Sequence, residues 1–411
     1  VSGSVSPPTP DEESGFTEKD RKDNFRLACA TFPQSDVKVL VPPESLSAPQ
    51  RTQVEGIELQ VDPDPAVHGL DVTLTPPSLE SPVADDRNLW SALGRGQDAH
   101  SGTIDFEVQR DLPGRLRRMN WKASVALRGD EIIALSQPST RWLGLAADIG
   151  TTKIAVYLVD LKSGKTRIAQ GLMNPQISYG EDVISRIYTA VKSSENAEKL
   201  QTLLVDALNR TLTTLCAEIG ADPSHIVDAV VVGNTAIHHL FLRLPTQQLG
   251  MSPYIPATGS AVDVKARDIG LQLAPGAYVH LLPNIAGYLG ADHVAMLLAT
   301  GMERRHGVTL ALDIGTNTEI CLNNFGKMRS VSCPSGPAFE GAHIQFGMRA
   351  APGAIEHVRM TGTALEIQTI GGEPPVGICG SGLFDAVAQM LLNGIIDSTG
   401  RMQPHPLVRN S

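Results

Sequence analysis

Long apolar runs are missing from this 411-residue sequence. No uncharged stretch of about 18 or more apolar residues occurs, which excludes a membrane-spanning helix. Basic residues are outnumbered: 34 Lys and Arg against 44 Asp and Glu leave a net charge of −10, a balance that argues against binding a nucleic-acid backbone. Cysteine is scarce and odd in number, five in all, which suits a reducing cytoplasm better than a disulfide framework. The opening residues, VSGSVSPPTPDEE, have neither a basic start nor an apolar stretch, so no signal peptide is expected. What is present is 42% hydrophobic and 19% charged residues, enough for a packed core in a chain long enough for two or three domains. A soluble, acidic, cytoplasmic protein is expected. Because it opens on Val and stops at HPLVRNS, it is expected to be a fragment of a longer chain.

Composition shifts near residue 142. Residues 1–142 hold 14 of the 28 prolines but only 9 of the 38 glycines. Within 36–142, strand-like pieces at 37–41, 56–61, 71–74 and 124–127 alternate with proline-rich turns. Helical character centres on 86–93. These features predict a small α+β domain, with a proline-rich linker as the alternative. From residue 143 onward strands and helices alternate, which predicts an α/β fold. Strands are expected at 143–147 and 154–159, and helix over 181–219 from apolar spacing at Val183, Ile187, Val191, Leu200, Leu204 and Leu208. Short buried strands are expected at 226–232 and 278–282, each running straight into a Gly/Asn turn and a helix.

An internal repeat decides the architecture. Residues 143–161 read LGLAADIGTTKIAVYLVDL and residues 308–322 read VTLALDIGTNTEICL. Each is an apolar strand, Asp-Ile-Gly-Thr, a polar turn and a second apolar strand. Two copies imply duplicated subdomains facing each other. Gly150 and Gly315 let backbone amides approach phosphate oxygens, and Thr151, Thr152, Thr316, Asn317 and Thr318 add polar donors. Asp148 and Asp313 would repel phosphate directly, so they are expected to hold hydrated magnesium or orient an attacking water. A third cluster, Gly377-Ile378-Cys379-Gly380-Ser381-Gly382, opens a helix. Gly380, Ser381 and Gly382 there suit close approach of a nucleoside or its phosphates to a helix N-terminus; a tight turn needed only for packing is the alternative, and the cluster's position after the second Asp-Ile-Gly-Thr motif favours the nucleotide.

Other polar residues carry weaker signals. Asn234 is placed either at the nucleotide cleft or as a helix cap, and Glu319 either at the cleft or on a solvated strand end. His238 and His239 are adjacent, a poor tetrahedral metal pair, and read as structural or interface residues. Cys333 and Cys379 read as packing residues rather than redox centres. Cys216 and Cys321 read as core.

Two Asp-Gly-Thr phosphate hairpins followed by a glycine-rich loop resemble the acetate and sugar kinase, Hsp70 and actin superfamily. The strings Val231–Val232–Gly233–Asn234–Thr235–Ala236–Ile237–His238–His239 and Cys333–Pro334–Ser335–Gly336–Pro337–Ala338–Phe339–Glu340–Gly341–Ala342 look more narrowly like the reductive activators of corrinoid proteins. Gly353–Ala354–Ile355 and Gly377–Gly382 extend the likeness, which covers roughly residues 20–405. The resemblance implies a duplicated ribonuclease-H-like (actin/Hsp70/sugar-kinase-type) ATPase domain over 143–411, with subdomains 143–305 and 306–411, cut short at its C-terminal end. A small α+β middle domain over 36–142 would precede it. Residues 1–35 would be the tail of a ferredoxin-like domain with its linker. Cys29 would be the fourth 2Fe-2S ligand of the full-length protein; the other three are absent here, so no cluster is expected in this chain.

The activity implied is ATP-dependent return of cobalt(II) to cobalt(I) in a corrinoid protein of a methyltransferase system. Electrons would come from a low-potential donor, with Mg and ATP in the cleft and Ser335, Gly336, Phe339 and Glu340 facing the corrinoid. A homodimer is possible; nucleic acid and membrane are not expected as partners. The same hairpins also serve small-molecule kinases and nucleotide-switched binding modules, and both remain alternatives. The ATPase activators of hydroxyacyl-CoA dehydratases are less similar, because their short cluster motif is missing here.

Overall fold

The computed structural model describes residues 3–9, 21, 24–26, 31–37, 39, 62–95, 102–180, 182–315, 317–335, 344–348, 350–362 and 364–405. Of the strands expected at 37–41 and 56–61, only Val37 and Val39 are among them.

The first unit is a four-stranded sheet with two helices packed against it. Strands β1 (Val67–Thr73), β2 (Thr103–Ile104), β3 (Lys122–Arg128) and β4 (Glu131–Ser136) lie in the order β1-β3-β4-β2. Helix α1 (Asp85–Ala92) buries Leu89 and Trp90. Helix α2 (Phe106–Arg118) buries Val108, Leu112 and Leu116. Sequence pattern does not predict α2, because Pro113 sits inside it and proline ordinarily breaks a helix interior. The helix forms regardless: Asp105 caps its start by accepting from the Glu107 amide, three arginines line its last turn, and its apolar stripe is covered. Stripe burial and the cap together outweigh one missing backbone bond.

The second unit is a six-stranded sheet in the order β7-β6-β5-β8-β10-β9. Strands β5 (Leu143–Ile149), β6 (Lys153–Asp160) and β7 (Thr166–Met173) form an antiparallel meander. Strand β8 (Ile226–Gly233) joins β5 in parallel; β10 (Tyr278–Leu281) then joins β8 in parallel and β9 (Val262–Lys265) is antiparallel at the edge. The crossover from β7 to β8 is two helices rather than one. Helix α3 (Val183–Lys192) ends at Ser193, whose hydroxyl accepts from the Asn196 amide and caps α4 (Ser194–Glu218). Leu200, Leu204, Leu208 and Leu212 are fully buried against the sheet, and each such burial contributes about 1.5–3 kcal/mol. Cys216 is buried in the same core. Strand β8 runs through Gly233 and Asn234 directly into α5 (Thr235–Leu242), as expected. Strand β10 does not: a nine-residue loop containing the Ala286–Leu289 bridge separates it from α6 (Ala291–Thr300).

Charged side chains join these two units. Asp105 accepts from Arg267 at 2.7 Å and pairs with Lys265 at 3.1 Å; Lys265 also reaches Glu131 at 2.8 Å, where the Tyr278 hydroxyl donates as well. Gly276 donates its amide to the Ile133 carbonyl.

The second meander repeats the first. Strands β11 (Val308–Ile314), β12 (Asn317–Asn324) and β13 (Lys327–Pro334) pair antiparallel in chain order. Strand β5 has β8 on its far side. Strand β11 has no such neighbour among the described residues, and its Val308, Leu310, Leu312 and Ile314 are exposed. A small sheet of β15 (Ala364–Thr369), β14 (Ala354–Thr361) and β16 (Gly377–Ile378) leads into α7 (Gly380–Leu392). Among the described residues no helix is long and apolar enough to cross a membrane.

Candidate functional site

The two meanders meet at a cleft of about 480 Å³, within the range of roughly 300–1,000 Å³ usual for small-molecule sites. The first hairpin contributes Asp148, Gly150, Thr151, Thr152 and Lys153; the second contributes Asp313, Ile314, Gly315, Asn317 and Glu319. Gly150 is obligatory on steric grounds, since a Cβ there would lie 2.6 Å from the Lys153 carbonyl oxygen.

Three helix N-termini open on the same cleft. Asn234 caps α5, its side-chain oxygen accepting from the Ile237 amide at 3.0 Å while its amide donates to the Thr151 hydroxyl at 3.1 Å. It is therefore both a cap and a cleft residue. Asp292 stands in the first turn of α6, and Cys379, Gly380 and Ser381 start α7. The N-cap residues of α6 and α7, Gly290 and Cys379, make no side-chain cap bond; in α6 the His293 amide donates instead to Asp292 Oδ1 at 2.7 Å. The positive ends of the helix dipoles, and the first-turn amides that no side chain takes, make such a place favourable for anions.

Four carboxylates face this positive potential: Asp148, Asp292, Asp313 and Glu319. Asp313 and Glu319 are directly opposite each other across β11 and β12. Asp148 remains open to the water of the cleft, yet the surrounding walls desolvate it and Asp313 repels it, which pushes it up to about 6. Asp292 is pushed up to about 7, chiefly by burial, with Asp148, Glu319 and Asp313 adding repulsion against the lowering effect of the His293 amide. Glu319 is also raised, by burial first and then by Asp313, although the Ser332 hydroxyl donates to it at 2.9 Å. Carboxylates held this far above their ordinary range suit a site that receives a cation. Among the described residues no three His, Cys, Asp or Glu side chains converge as a ready-made metal cage. Such a lining fits a magnesium ion only if most of its ligands are water or come from a bound molecule.

Several expected residues stand elsewhere. Thr318 is buried, and its hydroxyl shares a hydrogen bond with that of Ser335 at the end of β13. Gly382 lies beneath the cleft wall, where a Cβ would collide with the Ile355 carbonyl. Thr316, Gly336, Phe339, Glu340 and Cys29 lie outside the described residues. His238 and His239 are buried in α5. The His239 Nδ1 donates to the Thr235 carbonyl and its Nε2 accepts from the Ala257 amide, so it is a neutral structural tautomer. Cys379 bonds the Ile355 carbonyl through Sγ, and Cys321 is buried.

Asp292 is the carboxylate that sequence reasoning does not single out. Its one signal is an acid in the first turn of an otherwise apolar helix, just after Gly290. That glycine lets α6 approach α5, since a Cβ would lie 2.5 Å from the Asn234 Cα and the Thr235 amide nitrogen.

Comparison with known proteins matches this arrangement in three consecutive segments. Residues 56–141 match the RACo linker region, 143–305 the RACo middle region, and 307–410 the C-terminal domain of RACo, the ASKHA domain. The structure superposes on a solved "Reductive activator for corrinoid, iron-sulfur protein" with a TM-score of 0.71 and 34% identity, over 98% of this chain and 67% of that one. The chain belongs to the RACo family of reductive activators of corrinoid proteins. Among other RACo-like proteins, the corrinoid activation enzyme RamQ of Eubacterium limosum is 36% identical over 270 residues, 64% of this chain and 45% of RamQ. A Co(II) methylated amine-specific corrinoid protein reductase of Methanosarcina barkeri is 26% identical over 299 residues, 64% of this chain and 54% of the reductase. The chain thus spans about half the length of these curated relatives. The duplicated α/β fold expected from the repeat is the fold of this chain, whose C-terminal part matches the ASKHA domain.

Proposed function

We propose that this chain binds MgATP between its two hairpins and that the longer protein uses it to return cobalt(II) of a corrinoid protein to cobalt(I). The observation that carries the reading is the meeting of both Asp-Gly-Thr hairpins and three helix N-termini in one cleft ringed by carboxylates. Membership of the RACo family and the names of the relatives support the corrinoid partner.

When bound, MgATP would supply a terminal phosphoryl group for transfer to water. The residues of the chain act around that step. Amides of the Gly150 and Gly315 hairpins and the start of α7 at Gly380 and Ser381 bind the nucleotide, with Thr151, Thr152, Thr316, Asn317 and Asn234 orienting it. Asp148 and Asp313 would hold a hydrated magnesium and position the attacking water. Thr318 and Gly382 act one layer back, through Ser335 and Ile355 respectively. The reduction is a separate one-electron step from a low-potential donor to cobalt(II), and each ~59 mV of unfavourable potential costs about 1.4 kcal/mol. Nucleotide states can offset that cost only by binding the corrinoid partner differently. Ser335 and the following residues Gly336, Phe339 and Glu340 are assigned to the corrinoid side. The hydrogen bond between Ser335 and Thr318 supports this reading by tying the end of β13 to the second hairpin, one layer behind the cleft. A cytoplasmic location, a homodimer, and a 2Fe-2S cluster using Cys29 in the longer protein complete the reading.

The test is the visible spectrum of a cobalt(II) corrinoid protein mixed with the full-length parent and a low-potential reductant, with and without MgATP. The cobalt(I) band is expected only with MgATP and is lost in Asp148→Ala or Asp313→Ala. ATP turnover without that band, with phosphate appearing on a small-molecule acceptor, would overturn the reading in favour of a kinase.

A further inference from the structure

Behind the first hairpin lies a buried polar layer that does not line the cleft. Its centre is Arg186 on α3, which is completely buried. Its Nη2 donates to the Thr151 carbonyl at 2.5 Å, its Nε to the Gly180 carbonyl at 2.9 Å, and its Nη1 approaches the Gln176 side-chain oxygen at 3.4 Å. Gln176 is itself fully buried and donates to the Leu200 carbonyl on α4. Asn174, just after β7, holds the flanking carbonyls: its side-chain amide donates to Gly150 at 2.8 Å and its backbone amide to Thr152 at 2.9 Å.

All three carbonyls of the Gly150-Thr151-Thr152 tip are therefore held from the side away from the cleft. In a trans peptide the carbonyl and the following amide point in opposite directions. Fixing the Gly150 and Thr151 carbonyls backward thus turns the Thr151 and Thr152 amides forward, where an anion would sit. A buried guanidinium is costly unless its donors are satisfied. Here its planar fork of donors reaches three divergent acceptors, an arrangement that an ammonium or an apolar side chain cannot reproduce. Burial pushes the group down to about 10, which still leaves it charged at neutral pH.

We propose that Arg186 is a positioning residue of the phosphate site, setting the peptide planes of the first hairpin from behind. The inference rests on the MgATP reading of the cleft and deepens it. It acts on the phosphates and not on the nucleoside, because the layer's hydrogen bonds end on the carbonyls of the first hairpin, whereas Gly380 and Ser381 start α7 in a different part of the chain.

Titration calorimetry of the full chain with MgATP and, separately, with adenosine tests it, using wild type, Arg186→Met and Arg186→Lys. Arg186→Met is expected to weaken MgATP about tenfold or more, the usual loss for a charged hydrogen bond, while adenosine affinity stays at the wild-type value. Arg186→Lys retains the charge but not the fork and falls between the two. Unchanged MgATP affinity in the variants overturns the assignment. So does an equal loss for MgATP and adenosine, which would mark general damage to the cleft. If Arg186→Met fails to fold, Arg186→Lys decides by the same comparison. Wild type that binds no MgATP removes the nucleotide reading itself, an outcome visible before any variant is compared.

Discussion

The side-chain amide of Asn234 donates to the hydroxyl of Thr151 at 3.1 Å, joining the cap of α5 to the tip of the first hairpin across 83 residues of sequence. The same side chain accepts from the Ile237 amide through its oxygen. One residue thus fixes the helix start and the hairpin tip relative to each other, and both halves of its amide are needed.

Asn234→Asp separates these roles. An aspartate keeps the acceptor and remains a good N-cap, but it cannot donate to Thr151 and adds a fifth acid to the cleft. Thermal stability without ligand is expected to stay within about 0.5 kcal/mol of wild type, while MgATP affinity falls clearly. Asn234→Ala loses the cap as well, and its melt is expected to drop by about 1 kcal/mol. Calorimetric titration and thermal melts of both variants check the pair. Equal MgATP affinity in wild type and Asn234→Asp would sink the proposed role of the Thr151 contact.

The raised carboxylates give the ligand-free chain a definite pH dependence. Asp148 at about 6 and Asp292 at about 7 keep protons in the folded state that an unfolded chain has lost above roughly pH 4. Their contribution is therefore full below the unfolded value and is lost as pH rises through the folded values. Melting temperature is expected to fall between about pH 4 and 7 and then level off. Asp292→Asn should flatten that slope. MgATP should reverse it, because the cation favours the ionised acids, so ligand-induced stabilisation grows over the same window. A melt that rises with pH in the absence of ligand would contradict this account of the cleft.

The repeat made the hairpins readable because Asp-Ile-Gly-Thr occurs twice in the same strand–turn–strand setting, and local pattern is what a sequence displays. Asp292 was not readable. It reaches the cleft only because β10, a nine-residue loop and the close packing at Gly290 return the chain there, and these are long-range facts. Arg186 is an intermediate case. The spacing of Val183, Arg186, Ile187 and Ala190 places all four on one helix face, and all four are buried. A charge at such a position is a signal, but its partners Thr151 and Gln176 come from outside the helix. Helix α2 was hidden by Pro113, whose local penalty is overridden by burial of Val108, Leu112 and Leu116.

Gly290 offers a test of the packing that brings Asp292 to the cleft. Its backbone is extended, with φ −93°, so alanine there meets no conformational strain. The only obstacle is contact: a Cβ would lie 2.5 Å from the Asn234 Cα and from the Thr235 nitrogen. Both obstacles are backbone, which cannot swing aside as a flexible side chain would. Gly290→Ala must therefore push α6 away from the start of α5, and overpacking of this kind costs about 1–3 kcal/mol. The displacement also carries Asp292 and Asn234 apart, so MgATP affinity is expected to fall with stability. Gly301→Ala is the control, since Gly301 ends the same helix with open space around its Cβ but a positive φ of 59°. It should cost stability through strain alone and leave MgATP affinity intact. If Gly290→Ala binds MgATP as wild type does, the close approach of the two helices does not set the geometry of the cleft.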